Sequence, residues 1–353
     1  MWPASALSSI DAFSRGHCLL HAANDMIQPA QAPPPPPPPT PPPPIFASLP
    51  SQVSKFSSTT RAKKLSPYEL QQSASKNAKS FDEQVAEACQ MLKPVLELDG
   101  NLLQPRTHHY VYCSSRHAHG LLQDGPQCGL VALTMAMTAL NPSGIISTLT
   151  ILDKARSKGV TKHGEMFSAQ ALADLANDFC TLAKAKEETI AMVDSSDILN
   201  NPVELMNFFI ADEKSLLLVP YDSDFNQHPC VKEGKRAHWA ILLGFVLTAS
   251  ADKETESIDC QQINENVSLL NNGAVNANFW AKSESSELKV LARQGKSLRL
   301  FLFDPRTLWT SNYNLKAWEP TQEDERHYVL PDGGISEGLK GKLVKLMLKA
   351  RNK

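Results

Sequence analysis

The residues best suited to covalent chemistry lie in the stretch GPQCGLVALTMA, residues 125–136, where Cys128 stands between a turn and an apolar run. The Gly-Pro pair favours a turn, and Leu130, Leu133 and Met137 recur at the spacing of one helix face. The pattern predicts that Cys128 lies near the N-terminus of a helix. Free N–H groups and the helix dipole at such an end favour a thiolate, which is the nucleophilic form of cysteine. A buried, inert cysteine is the alternative.

A thiol nucleophile needs a general base, and His238 is the best-placed histidine. It precedes Trp239 in the apolar run AHWAILLGFVL, residues 237–247, which predicts a buried strand with the imidazole at the rim of a sheet. Asp304 closes the later run RLFLFDP, and we expect it to lie beside His238 and to orient the imidazole. The alternatives are a core histidine and an ordinary turn carboxylate before a proline.

Acyl transfer also needs donors for the oxyanion that develops in the transition state. The side-chain amide of Gln123 or of Gln127 is a candidate, together with the backbone N–H of Cys128. Two basic residues, Lys235 and Arg236, come just before the candidate base, and we expect them to bind an acidic substrate chain beside the cleft. A solvated basic loop is the alternative.

The elements that must position these residues form two groups along the chain. Helical periodicity predicts helices at 81–93, 128–140, 145–158, 168–182 and 204–210, and a basic helix at 339–351. Apolar runs predict strands at 110–112, 215–220, 237–247, 288–293, 298–303 and 328–330. Helices followed by an antiparallel sheet indicate the α+β class. The polar stretch 248–285 is predicted to be an insertion loop.

The first part of the chain has a different composition. Residues 33–44 contain eleven prolines in twelve positions, which excludes a helix or a strand because proline lacks an N–H and fixes φ. The tract predicts a polyproline II rod, and its nearly pure proline content suits a profilin-type groove. A passive spacer is the alternative. We therefore predict a disordered head at 1–75 and a folded domain at 76–353.

Composition narrows the possible functions. With 353 residues and 42% hydrophobic content, the chain can bury a large core, and its net charge of −2 gives no sign of binding to nucleic acid or to a membrane surface. No signal-peptide pattern or membrane-spanning run is present. The seven cysteines are odd in number and form no CxxC, and the histidines at 108–119 lack zinc-ligand spacing. We expect a reduced, cytoplasmic protein without a metal or cofactor.

The order of these features resembles a known family. A Gln precedes Cys-Gly-Leu-x-Ala at the start of a helix, His-Trp-Ala follows on an apolar strand, and Asp-Pro ends a later strand. This order is similar to that of papain-like cysteine peptidases of the bacteriocin-leader-processing type. Five separated blocks, GPQCGLVAL, GEMFS, PYDSDFNQHPC, GKRAHWA and RQGKS, with the proline-rich head, resemble a branch that acts on actin. The resemblance covers about residues 121–330 and the head.

The resemblance implies a papain-like fold and a cysteine aminopeptidase that removes the acetylated N-terminal residue, Met or Cys, from immature actin. It implies that Cys128 is the nucleophile, His238 the base and Asp304 the third residue. Gln123 is five residues before the cysteine, whereas the bacterial enzymes place their oxyanion glutamine six before it. A catalytically silent adaptor that holds a profilin-like protein and a Cys-His-Asp acyltransferase are the alternatives.

Overall fold

The structure, a computed structural model, describes most of the chain that follows the proline-rich head. The described residues are 79–92, 96–99, 102–105, 108–114, 116–141, 146–180, 187–211, 215–250, 260–270, 287–316 and 327–350. They all belong to the unit Ala62–Lys353. The predicted head and its proline tract lie outside the described residues.

Helices and strands alternate more often than the sequence predicts. The helices are α1 Phe81–Gln90, α2 Cys128–Leu140, α3 Thr148–Ser157, α4 Ala169–Cys180, α5 Pro202–Ala211, α6 Pro305–Tyr313 and α7 Gly334–Leu339, with a 3-10 helix at Ser196–Asn200. The strands are β1 Leu96–Asp99, β2 Leu102–Pro105, β3 His108–Ser114, β4 Glu187–Ser195, β5 Ser215–Ser223, β6 Pro229–Cys230, β7 Ala237–Ser250, β8 Cys260–Asn264, β9 Val267–Leu270, β10 Glu287–Gln294, β11 Ser297–Phe303 and β12 Lys342–Ala350.

The long strand β7 is the spine of a ten-stranded sheet. One edge of β7 pairs with β5 near its start and with β3 near its end, and the other edge pairs with β10. Beyond β5 the sheet continues through β12 and β4, and beyond β3 it continues through β9 and β8. The β3–β9 pair is parallel, so the sheet is mixed, whereas the sequence predicts an antiparallel one. The α+β class is confirmed.

Apolar side chains from both faces of the sheet form two core layers. Along β7, Trp239 and Ile241 join the layer that contains α2 and α4, whereas Ala240 and Leu242 join the layer that contains α5 and α6. Both faces of β7 are therefore covered, which explains why the run AHWAILLGFVL is apolar throughout and does not alternate. A strand buried on both faces holds its first residues rigidly.

Helix α2 is buried along nearly its whole length, from Gly129 to Leu140. A Cβ added at Gly129 would lie 2.8 Å from Cβ of Met166 and 3.1 Å from Cδ1 of Trp239. Glycine at this position therefore lets the first turn of α2 approach β7 closely.

The C-terminal region differs from its prediction. The predicted basic helix at 339–351 is wrong, because Lys342–Ala350 forms β12 between β4 and β5. Lysine and leucine favour a helix locally, but two strand partners provide hydrogen bonds along the segment and so override that preference. The predicted strand at 328–330 is also wrong, since these residues have no strand pairing.

The stretch 248–285, predicted to be a polar insertion loop, contains regular structure. Cys260–Leu270 folds into the hairpin β8–β9, and β9 adds to the main sheet beside β3. The helices described in these ranges are too short or too polar to cross a membrane. Among the same residues, His, Cys, Asp and Glu side chains do not gather in groups of three or more that could hold a metal ion.

Candidate active site

Cys128 is the first residue of α2, as the sequence predicts. The helix begins with the bond from the Val131 N–H to the Gln127 carbonyl, 2.9 Å long. Backbone N–H groups of Cys128, Gly129 and Trp239 make hydrogen bonds to the sulfur. The N-terminus of α2 and the start of β7 therefore meet at this thiol.

His238 is adjacent to this contact, because it precedes Trp239 in β7. Its side chain is only 2% exposed. Tyr221 is the partner of His238 on β5, and the two rings meet edge to face with centroids 5.7 Å apart. On the other side, Nε2 of His238 lies 2.9 Å from Oε1 of Gln294, the last residue of β10. The imidazole is thus held between two strands.

The hydrogen bonds of Gln294 determine the tautomer of His238. Oε1 of Gln294 also accepts a hydrogen bond from the backbone N–H of Lys296, 2.7 Å long. A backbone N–H can only donate, so this atom is the amide oxygen, and Nε2 of His238 must donate its proton to it. The neutral imidazole then carries no proton on Nδ1. His238 therefore has a free basic nitrogen.

Burial keeps both candidate catalytic groups neutral at rest. Burial raises the pKa of the Cys128 thiol, although the N–H groups of Trp239 and Gly129 and the charge of Lys296 act against it. Burial lowers the pKa of His238 to about 4, although the bond with Gln294 acts against it. At neutral pH the pair is a thiol and an imidazole. The sequence prediction of a stabilised thiolate is therefore wrong for the resting structure.

The structure does not bring Asp304 to His238. Asp304 follows β11 and lies near the far end of β10, where Oδ2 is 3.7 Å from Nζ of Lys289. Phe303 pairs with Val290, which is four residues, or about 14 Å, from Gln294 along β10. Oδ1 of Asp304 instead caps α6 by accepting hydrogen bonds from the N–H and the hydroxyl of Thr307, both 2.7 Å long.

The direction of the strands explains this correction. In an antiparallel pair the end of one strand lies beside the start of the other. β10 is an antiparallel neighbour of β7, so Gln294 at its end reaches His238 at the start of β7. β11 runs in the same direction as β7 and therefore ends at the opposite side of the sheet.

The two glutamines before Cys128 have different surroundings. The Gln123 N–H donates to the carbonyl of Gly295 with a distance of 2.7 Å, and its side-chain amide donates to the carbonyl of Gly125 with a distance of 2.6 Å. Gln127 packs instead against Gly164, because a Cβ built there would lie 2.4 Å from Cγ of Gln127. Gln123 is therefore the glutamine tied to the β10–β11 turn.

The loop before α4, residues 161–168, packs against Gln127 and is held by internal hydrogen bonds. Gly164 has a φ of +109°, which residues with a side chain rarely adopt. The buried carboxylate of Glu165 accepts bonds from the N–H groups of Lys162, His163 and Val329. Burial acts to raise the pKa of Glu165, but these N–H groups outweigh it and leave the pKa low. An ionised carboxylate thus fixes this loop.

Lys235 and Arg236 lie on the exposed loop between β5 and β7. Nζ of Lys235 is 3.8 Å from Oε2 of Glu233, and the Arg236 guanidinium stacks 4.4 Å from the ring centre of Phe225. The buried carboxylate of Asp222 shapes this loop by accepting bonds from backbone N–H groups, among them that of Arg236. Their role in substrate binding stays a prediction.

Sequence reasoning missed three residues of this site: Gln294, Lys296 and Tyr221. Gln294 and Lys296 belong to the RQGKS block, which also reads as a hairpin turn. The signal available in the sequence was strand direction, because a strand that pairs antiparallel with β7, as β10 does, must end near the start of β7. The contact of Tyr221 follows from the β5–β7 register, which sequence patterns do not specify.

Comparisons with known proteins identify the family of this chain. The family described as "Actin maturation protease-like, C-terminal domain" matches residues 118–246, which include Cys128 and His238. The Actin maturation protease of Danio rerio is 34% identical over 236 residues, which make up 66% of this chain and 73% of the relative. That of Xenopus tropicalis is 31% identical over 65% of this chain and 72% of the relative. For that of Homo sapiens, the identity is 30% and the shares are 72% and 70%. The chain therefore belongs to the actin maturation protease family.

Proposed function

We propose that this chain is a cysteine peptidase that removes the acetylated N-terminal residue, Met or Cys, from immature actin. The observation that carries the proposal is that the sulfur of Cys128, at a helix N-terminus, is bound by the backbone N–H of Trp239, the residue next to His238, whose Nε2 is bound by Gln294. A nucleophilic cysteine, a base and a residue that orients the base are the three parts that thiol peptidases need. The names of the relatives support actin as the substrate, and the resemblance noted in the sequence supports its acetylated N-terminal residue as the group removed.

The same arrangement supports a papain-like architecture. The helix with the cysteine packs its first turn against the strand with the histidine, and the orienting amide comes from the neighbouring strand. Gln294 thus takes the position that we first expected for Asp304. An amide is sufficient for this role, because it needs only to accept the Nε2 proton and fix the ring.

The reaction follows from the neutral resting pair. As the sulfur of Cys128 attacks the carbonyl carbon of the N-terminal residue, Nδ1 of His238 takes the thiol proton. The N–H of Cys128 and the amide of Gln123 donate to the resulting oxyanion. The imidazolium then protonates the amine of the departing actin chain, which leaves the acetylated residue on the sulfur. Water, deprotonated by His238, hydrolyses this thioester and restores the thiol.

Intact-protein mass spectrometry of an immature actin substrate tests this proposal. Wild-type protein should remove the mass of one acetylated residue, Cys128→Ala should give no product, and His238→Ala should be at least about 100-fold slower. Arg299→Gln, an exposed change on β11, is a matched control for handling and should keep wild-type activity. Wild-type activity in Cys128→Ala would refute the cysteine mechanism.

We also propose that the head delivers the substrate. The proline tract at 33–44 suits a profilin-like groove, and a preformed polyproline II rod loses little entropy on binding. Tethering would raise the effective concentration of actin that arrives bound to profilin. A reducing cytoplasm fits this role, and Cys128 is a free thiol.

A further inference from the structure

The turn between β10 and β11 places a cation next to the candidate dyad. Gly295 and Lys296 form this turn, since Gln294 pairs with Ser297. The backbone N–H of Lys296 bonds to the same Gln294 oxygen that holds His238, so the position of Lys296 is fixed relative to the imidazole. Its side chain is exposed at the tip of the hairpin.

The charge of Lys296 acts on the reacting groups. Burial raises the pKa of the Cys128 thiol and lowers that of the His238 imidazole, and the charge of Lys296 opposes the first shift and adds to the second. Lys235 and Arg236, which we expected to supply the positive charge, have their contacts with Glu233 and Phe225 instead. Lys296 is therefore a cation whose field reaches the sulfur itself.

This cation has no partner of its own in the described part of the chain. Other lysines do have acidic partners. Lys235 is near Glu233, and Lys345 is 2.9 Å from Asp194. Between residues 79 and 350, where the structure describes the side chains, no carboxylate lies within ion-pair distance of Lys296. An exposed ammonium on a turn whose backbone is bound next to the imidazole is a site for an anionic group of a ligand.

We propose that Lys296 is a substrate-binding residue that holds the carboxylate of an Asp or Glu side chain of the substrate next to the scissile bond. The inference rests on the proposed function, because a peptidase substrate offers carboxylates as its anionic groups. Lys296, in the β10–β11 turn, then determines the preference for acidic chains.

Lys296 also acts on the dyad, and the two effects can be separated. An effect on the thiol changes the reaction with every substrate by the same factor. A contact with a substrate carboxylate changes only the reaction with acidic substrates. The ratio of rates for a charged and a neutral substrate therefore isolates the contact.

The first experiment compares two actin N-terminal peptides, one with its acidic residues and one with these replaced by Asn and Gln. For Lys296→Gln, the ratio of kcat/KM for the acidic peptide to that for the neutral peptide should fall about three-fold at low salt, the size expected of one exposed ion pair. Lys296→Arg should keep the ratio. Arg299→Gln, which removes a positive charge from the same hairpin, should keep it too. The effect should shrink at high salt.

The second experiment does not depend on peptidase activity. Cys128 is alkylated with iodoacetate, which is an anion, or with iodoacetamide, which is neutral; in both cases the sulfur displaces iodide. The ratio of the two rate constants should fall about three-fold in Lys296→Gln and stay unchanged in Arg299→Gln. The ratio cancels any change in the fraction of thiolate.

The outcomes distinguish the inference from the proposed function. Equal losses on both peptides, together with an unchanged alkylation ratio, would overturn the role of Lys296 in binding while leaving the peptidase intact. If either ratio falls as far in Arg299→Gln as in Lys296→Gln, the role of Lys296 in binding would also be overturned, because the effect would then come from the overall positive charge of the hairpin. Cleavage that persists in Cys128→Ala would overturn the proposed function, and the alkylation ratio would still test Lys296.

Discussion

Replacing Gln294 by alanine should reduce catalysis without abolishing substrate binding. The change removes the oxygen that accepts the Nε2 proton of His238, in a place where the imidazole is 2% exposed and water is scarce. Leaving a buried donor without a partner costs about 1–3 kcal/mol, which corresponds to a loss of about 5- to 150-fold. The proton is then no longer held on Nε2, so a smaller fraction of His238 has Nδ1 available as the base. We expect kcat to fall by about 10- to 100-fold with KM nearly unchanged, because Gln294 is placed to touch the base and not the substrate.

Two changes at Asp304 provide the matched control. Asp304→Ala removes the cap of α6, which should cost about 1 kcal/mol of stability, whereas Asp304→Asn should keep the cap because asparagine caps equally well. Neither should change kcat by more than about two-fold, since Asp304 lies about 14 Å along the hairpin from Gln294. Steady-state kinetics and thermal unfolding on the same preparations separate the two effects.

The tautomer of His238 is a direct readout of the hydrogen bond with Gln294. In nitrogen NMR spectra of the wild-type protein at neutral pH, His238 should carry its proton on Nε2, and Gln294→Ala should weaken that preference. A larger loss of kcat in Asp304→Asn than in Gln294→Ala would refute the assignment of the orienting residue. A wild-type His238 protonated on Nδ1 would refute the argument from the Gln294 hydrogen bonds.

Three further changes test other parts of the structure. Because the pKa of His238 is about 4 when folded and 6.5 in its ordinary state, the unfolded chain binds a proton between these pH values that the folded chain does not. The free energy of unfolding should therefore fall by about 3 kcal/mol as the pH drops through this window, and His238→Gln should flatten that slope in urea titrations. Gly164→Ala should lower stability by about 1–3 kcal/mol and slow turnover, because Gly164 has a positive φ and contacts Gln127. Gly159→Ala is the control: Gly159 also has a positive φ but lies in open space, so the change should lower stability and leave turnover unchanged. Deleting residues 33–44 should leave cleavage of a short peptide unchanged and slow the processing of actin presented with profilin; equal rates on both substrates would make the tract a spacer.

Local patterns were sufficient to place the candidate nucleophile and the candidate base on their elements. The turn residues before Cys128 and the helical spacing after it predict the start of α2, and the structure begins that helix at Cys128. The apolar run after His238 predicts a buried strand, and β7 is buried, with both of its faces covered. These features depend on backbone preferences and on burial of neighbouring residues, which a short stretch of sequence specifies.

The tertiary structure decided which residues meet and how charged they are. Lys342–Ala350 becomes a strand only because β4 and β5 flank it, and its own residues favour a helix. Gln294 reaches His238, and Asp304 does not, because the strands of a hairpin alternate in direction. The helix end at Cys128 favours a thiolate, yet burial by the surrounding elements raises the pKa of the thiol. The sequence by itself determined the start of α2, the strand β7 and the candidate reactive groups on them, whereas long-range pairing and desolvation, which no local pattern encodes, determined their partners and their protonation.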